Sequence, residues 1–328
     1  MLVRTFVGPA LDRPRGRERS DHRRRLRANR SNRVKCASTN RIEGSELQLQ
    51  NISTEKSIAL SRRSLLAFGT CACGTCVGPH ALANVTLIEP DVKLETTFDI
   101  ARDAKRDEAF SRGMATMMGG FESAVRERKA RLFDDLLSRS ERSGEMSVLE
   151  IGAGSAPNAE FFARAARASG PSNVDLICLD PNDSMREYAE ENLRRFRSVG
   201  DRPIEARFVH GVAEALPLRD ASVDAVVSTL TLCSVVDQRQ ALREIRRVLK
   251  PGGKFLFLEH VLSETDPKFA RLQESLTPMQ VSVADGCHLN RRTLQEIQTS
   301  GFRSVDGEYY ELDGFWVIAP QVCGIAVA

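Results

Sequence analysis

The chain has 328 residues, 41% of them apolar and 28% charged, with a formal net charge of +3, enough for one large domain or two small ones. The basic excess belongs to one end. The first 83 residues hold 16 of the 47 Lys and Arg but only 6 of the 44 Asp and Glu, so the rest carries 31 basic and 38 acidic side chains, a net charge of −7. An acidic main body lacks the electrostatic footprint of a nucleic-acid binder, and the scattered Cys178, Cys233, Cys287 and Cys323 do not form the ladder of an oxidised secreted scaffold.

Residues 1–41 are crowded with arginine, including Arg23, Arg24 and Arg25, and hold only Asp12, Glu18 and Asp21 as acids. With no apolar periodicity to form a core, this is the composition of an organellar transit peptide; the competing reading is a disordered basic arm that binds nucleic acid. Residues 42–83 supply a linker and a second signal, "SRRSLLAFGTCACGTCVGPHALA", in which Arg62 and Arg63 precede a short apolar run ending in Ala81-Leu82-Ala83. It resembles a twin-arginine export signal. The run over 64–77 is shorter than the roughly 20 residues a membrane-spanning helix needs, so it reads as cleaved or, at most, as a weak anchor at a membrane surface. The two signals in this order are the layout of a two-stage chloroplast address leading to the thylakoid, with the lumen as the end of that route. Cys71, Cys73 and Cys76 in "CACGTC" lack the second spaced pair expected of zinc ligands, and no metal site is predicted.

Residues 84–146 form a helical prelude. Helix is predicted over 97–137, interrupted near Gly119-Gly120, with Phe121, Val125 and Leu132 at helical spacing; Met114, Met117 and Met118 are expected to pack in a core rather than line a substrate mouth. From 147 to 328 strands and helices alternate. Strands are predicted at 147–151, 174–179, 206–209, 225–228 and 254–259, with helices at 158–168, 184–196 and 238–249. "KPGGKF" is read as a helix stop and turn. A helix at 292–299 and strands at 304–311 and 323–327 close the chain. The expected fold is therefore α/β, Rossmann-like, with a mostly parallel sheet covered by helices on both faces.

In such a sheet, ligands sit beyond the carboxyl ends of the strands, where the first strand turns into its helix. "VLEIGAGSAPNAEFF" places Gly152 and Gly154 there, but the sixth position of a dinucleotide fingerprint is Pro157, and Glu150 stands two residues before the first glycine. A carboxylate repels a pyrophosphate and attracts an ammonium or a sulfonium, which points to S-adenosylmethionine. Pro157 suits the start of a helix, where its missing N–H costs little. "LICLDPND" ends the next strand at Asp180, 26 residues after Gly154, where an acid can accept the ribose hydroxyls; Asp183 is the expected cap of the following helix.

"VLEIGAGSAPN", "LDPNDSM", "GVAEALPLRDASVDAVVSTLTLCSV" and "LREIRRVLKPGGKFLFLEHV" together resemble the class I S-adenosylmethionine-dependent methyltransferases over residues 148–261. "TLTLCSV", "LEHV" and "DGCHLNR" are most similar to the methyltransferase-like 7 group, known for alkyl thiol methylation, and its plant relatives, with the quinone C-methyltransferases more distant. The resemblance implies that Glu150, Gly152, Ala153 and Gly154 hold the methionine end, Asp180 the ribose, and Asn182, Met185, Ala213 and Glu214 the adenine, with Thr229 and Leu230 along the methionine carboxylate. Ala156 stands where the family usually has glycine.

The implied function is methyl transfer to a small hydrophobic nucleophile, a thiol for preference. A quinol C-methyltransferase and a non-catalytic S-adenosylmethionine-binding protein are the alternatives. A thiol reacts as thiolate, so a nearby acid–base group would help; Glu259 and His260 at a strand end are the catalytic candidates, followed by Asp285 and His288, while Glu259 is also readable as a structural acceptor. Cys233 and Cys287 are expected as buried small residues. The partner is thus a small-molecule methyl acceptor, with no nucleic acid, and the sequence fixes no oligomeric state.

Overall fold

The computed structural model describes residues 97–138, 144–168, 171, 173–197 and 204–328. The transit-peptide, linker and twin-arginine segments predicted within 1–83 lie outside the described residues. Seven strands form one sheet in the order β3-β2-β1-β4-β5-β7-β6. β1 (Glu145–Ile151), β2 (Asn173–Asp180), β3 (Ile204–His210), β4 (Val223–Thr229) and β5 (Leu249–His260) are parallel. β7 (Pro320–Val327) inserts antiparallel between β5 and β6 (Ser304–Glu311).

Parallel strands buried on both faces read as continuous apolar runs, and β1 and β2 are buried along nearly their whole length. Alternation across the pleat then divides the core. Val148, Leu176 and Leu256 pack on one face with Phe133, Phe161 and Phe162, beneath α2 (Gly119–Ser138), α3 (Ala159–Ala168) and α4 (Arg186–Arg197). Leu149, Ile177, Phe255 and Phe257 face the other way, against Leu242 and Ile245 of α5 (Gln238–Val248) and Ile297 of α7 (Thr293–Thr299). Phe133 stacks on Phe161 and meets Phe162 edge-on, tying α2 to α3.

The prelude is two helices, α1 (Ala104–Met117) and α2, parted at Met118 just before the predicted glycine break. Asp103 caps α1 by accepting the Arg106 amide. Two elements depart from expectation. "KPGGKF" is no free turn; it lies inside β5 as an irregularity where the register with β4 jumps, with Gly252 at φ +77°. And α6 (Pro267–Val283), for which the sequence reading had no element, spans 17 residues; Asp266 accepts the amides of Lys268 and Phe269, with Pro267 opening the helix. Among the described residues no helix is long and apolar enough to cross a membrane.

Candidate functional site

A cavity of about 540 Å³ opens beyond the carboxyl ends of β1, β2 and β4, a volume in the range of small-molecule sites. Of the eleven residues expected around the cofactor, ten line it: Gly152, Ala153, Gly154, Asp180, Asn182, Met185, Ala213, Glu214, Thr229 and Leu230. Glu150 does not. Its carboxylate is buried behind the wall, where Oε1 accepts the Asn158 amide at 2.6 Å and the same amide reaches Thr229 Oγ1 at 3.0 Å. Glu150 thus acts on the cavity through Asn158, Thr229 and its charge rather than by contact, because its side chain points to the α3 side of the sheet.

Local backbone sets the wall. Gly152 has φ +57°, and a Cβ there would meet the Thr231 side chain at 2.3 Å, so only glycine lets the turn after β1 approach the loop after β4. Gly154, at φ +54°, has open space where a side chain would stand, which leaves room for a ligand against the backbone. Asp180 closes β2 and grips this turn: Oδ2 accepts the Gly154 amide at 2.9 Å and Oδ1 the Asn182 amide at 2.8 Å. Burial pushes the Asp180 carboxyl up to about 6 despite those two amides. Asn182, not Asp183, caps the next helix, accepting the Ser184 amide, because the helix begins with a tight turn at Asp183. Glu214 accepts the amides of Val236 and Asp237 and so fixes the entry to α5.

At its other end the cavity is apolar, walled by Phe98, Ile100, Phe110, Met114, Met118 and Phe121. Met114 and Met118, expected only in the core, face this space, while Met117 is exposed to solvent. Two charged groups that the sequence did not single out also stand on the wall. Lys129 is buried and paired with Glu122 at 2.8 Å, one helical face of α2 bringing them together. Arg102 bridges Asp107 and Asp285. A glance at spacing finds the Glu122–Lys129 pair, seven residues apart; nothing in the sequence brings Arg102 to Asp285.

Glu259 and His260 are not on the cavity wall. Glu259 is fully buried at the end of β5; its Oε1 accepts Ser228 Oγ at 2.6 Å and the Thr231 amide at 3.2 Å, holding the loop after β4, and burial raises its carboxyl. The geometry is that of the structural acceptor weighed in the sequence. His260 Nε2 lies 3.0 Å from Cys287 Sγ. The Cys233 thiol donates to the Leu230 carbonyl at 3.4 Å, and the proximity of Cys233 and His260 holds the Cys287 thiol below the ordinary range. Asp285 lines the cavity in its pair with Arg102, and His288 turns Nδ1 to the Gly286 carbonyl at 2.7 Å. The four cysteines of the described residues are buried and unbridged.

Observed chemistry fits a cofactor with a cationic amino-acid end and a ribose. The Glu150 carboxylate, with Oε2 buried and unpartnered, lays negative potential under the Thr229 end of the cavity, and Asp180 retains lone pairs for hydroxyl donors. Comparison with known proteins agrees. A methyltransferase domain family matches residues 149–257. The rat thiol S-methyltransferase TMT1B is 32% identical over 216 residues, which cover 65% of this chain and 84% of that protein; human thiol S-methyltransferase TMT1A is 31% identical over 209 residues, 63% and 81% of the two chains. The ubiquinone/menaquinone biosynthesis C-methyltransferase UbiE of Pasteurella multocida is 39% identical over 120 residues, 37% of this chain and 42% of that one. Among solved structures, an S-adenosylmethionine-dependent methyltransferase from Thermotoga maritima aligns with a TM-score of 0.43 at 20% identity, covering 66% of this chain and 97% of its own. By its similarity to the two thiol S-methyltransferases and its match to the methyltransferase domain, the chain belongs to the family of TMT1A and TMT1B and is an S-adenosylmethionine-dependent methyltransferase.

Proposed function

We propose that the chain methylates the thiol of a small hydrophobic acceptor. The observation that carries this reading is the similarity to TMT1B across 84% of that protein. The apolar end of the cavity, continuous with the cofactor end, supports it: Phe110, Met114, Met118 and Phe121 would bury an alkyl or aryl chain. S-adenosylmethionine, when bound, supplies a methyl group on an already activated sulfonium. What is left to the protein is to place a nucleophile in line and to exclude water.

In this reading Gly152, Ala153 and Gly154 let the backbone approach the amino-acid end, and Asp180 accepts from the ribose hydroxyls. Asn182, Met185, Ala213 and Glu214 border the base, and Thr229 and Leu230 the methionine carboxylate. Lys129 adds a buried cation to the same wall. Glu259 keeps a positioning role, through Ser228 and Thr231. The acceptor arrives as thiolate, and activity rises with pH toward the ordinary thiol value of about 8.5.

The test is methyl transfer from labelled S-adenosylmethionine to a panel of alkyl and aryl thiols and prenylated quinols. Activity on quinols with none on any thiol overturns the choice of acceptor. We also propose a chloroplast location with a thylakoid destination, and association with the membrane surface, from the arginine-rich first 41 residues and the Arg62-Arg63 signal. Import assays that show no processing near Ala83 would rule out the lumenal route.

A further inference from the structure

Cys233, His260 and Cys287 lie 27 residues apart in the chain and on three different elements, yet their ligand atoms are all within 4.8 Å of one another and all three side chains are buried. The fold brings them there by rigid means. β4 and β5 are hydrogen-bonded neighbours, so the loop after β4, which carries Cys233, sits beside His260, the last residue of β5. The loop after α6 is then bound to the loop after β4: the His288 amide donates to the Cys233 carbonyl at 2.9 Å. Gly286, at φ +81°, comes so near that a Cβ on it would stand 3.1 Å from the Ser234 carbonyl.

We infer that Cys233, His260 and Cys287 form a zinc site, with a solvent molecule in the fourth position. Tetrahedral zinc with bonds of about 2.3 Å to sulfur and about 2.0 Å to nitrogen sets its ligand atoms roughly 3.5 to 3.8 Å apart. The present spacing, with Nε2 3.0 Å from Cys287 Sγ, reaches this by small side-chain adjustments. The donor set is soft, which excludes calcium and magnesium. Charge selects further. Two thiolates and a neutral imidazole around a divalent ion are neutral, as a buried site requires, whereas a monovalent copper would leave a buried negative charge. Binding releases two protons, one for each thiolate formed relative to the neutral cluster.

Such an ion would brace the cavity wall. Ser234, next to Cys233, and Gly286, next to Cys287, both line the cavity, so the ion would fix the two loops that meet there. This goes beyond the proposed acceptor and does not depend on it.

The test uses the full chain with Cys36, Cys71, Cys73 and Cys76 replaced by serine, so that no thiol outside the described residues competes. Metal-free protein titrated anaerobically with cobalt(II) should take up one equivalent and develop the sulfur-to-cobalt charge-transfer absorption and intense visible bands of a tetrahedral thiolate site. One equivalent of zinc should bleach them. Cys233→Ser and Cys287→Ser should each lose the charge-transfer band, and Cys178→Ser should keep it. Because loss of a ligand can also prevent folding, the parent protein supplies a second reading: its thermal midpoint should rise on adding one equivalent of zinc and fall back on chelation. The inference is overturned if the parent gives no tetrahedral cobalt spectrum, if the spectrum survives both serine variants, or if peptide mapping shows Cys233 and Cys287 as a disulfide in protein that binds no zinc.

Discussion

Glu150→Gln should make the ligand-free protein more stable, although it removes the charge that lies behind the cavity wall. The wild-type carboxyl is fully buried, and burial outweighs the Asn158 hydrogen bond and the attraction of Lys129, pushing it up to about 7 from an ordinary 4.5. That difference corresponds to about 3 kcal/mol of destabilisation once the group is ionised. Glutamine keeps the acceptor for Asn158, and because that hydrogen bond is already counted in the net displacement of the carboxyl, the gain is about 3 kcal/mol at pH 8. Below pH 4.5 the acid is protonated both folded and unfolded, and wild-type stability is fully present. From 4.5 to 7 the folded chain holds more protons than the unfolded one, so stability falls as pH rises, and above 7 the loss is constant. Urea unfolding without cofactor should thus show the variant ahead by about 3 kcal/mol at pH 8 and by less than about 1 kcal/mol at pH 5. Titration calorimetry should show the opposite for S-adenosylmethionine, with weaker binding by the variant at pH 8, since the charge beneath the cavity is gone. A variant less stable than wild type at pH 8, or equally favoured at both pH values, would refute the reasoning.

Asp180→Asn keeps one carbonyl acceptor for the turn amides but loses charged acceptance from the ribose, and cofactor affinity should fall by about 1.5 to 3 kcal/mol, roughly tenfold to a hundredfold in Kd by calorimetry. Gly152→Ala drives a methyl into Thr231 at a positive φ and should cost about 2 to 3 kcal/mol, read as a lowered urea midpoint; an unchanged midpoint would mean that the two loops move apart freely. Glu259→Gln should lower the rate with the shape of the pH–rate profile preserved, because its role is to hold Ser228 and Thr231; a loss confined to pH below the thiol's pKa would restore it as a base.

The alternation of short apolar strands with helices made the parallel sheet legible, and one acid ending β2 together with two glycines after β1 located the cavity. What escaped had physical reasons. α6 buries Gln273 and Thr277 rather than an apolar stripe, so its period carries no hydrophobic signal; Gln273 instead bonds the backbone at Ser263, Val261 and Val317. Glu150 was placed correctly along the strand but on the wrong side of the wall, since alternation within a fully buried strand does not say which face meets a ligand. Lys129 and Arg102 come from the prelude, whose docking over the site no local pattern encodes. The clustering of Cys233, His260 and Cys287 is likewise a product of β4–β5 pairing and a loop contact, invisible to any rule based on close ligand spacing.

Arg102, half-buried and shared by Asp107 and Asp285, joins two stretches of cavity wall that the chain keeps 183 residues apart. A molecule enclosed by those stretches departs at a pace set partly by how often this bridge opens, and charge pairs open to water are weakened by dissolved ions. Exit of a spent, uncharged-sulfur product would then quicken with ionic strength even though nothing in the product itself needs screening, and under saturating acceptor the enzyme's speed would depend on the salinity of its compartment.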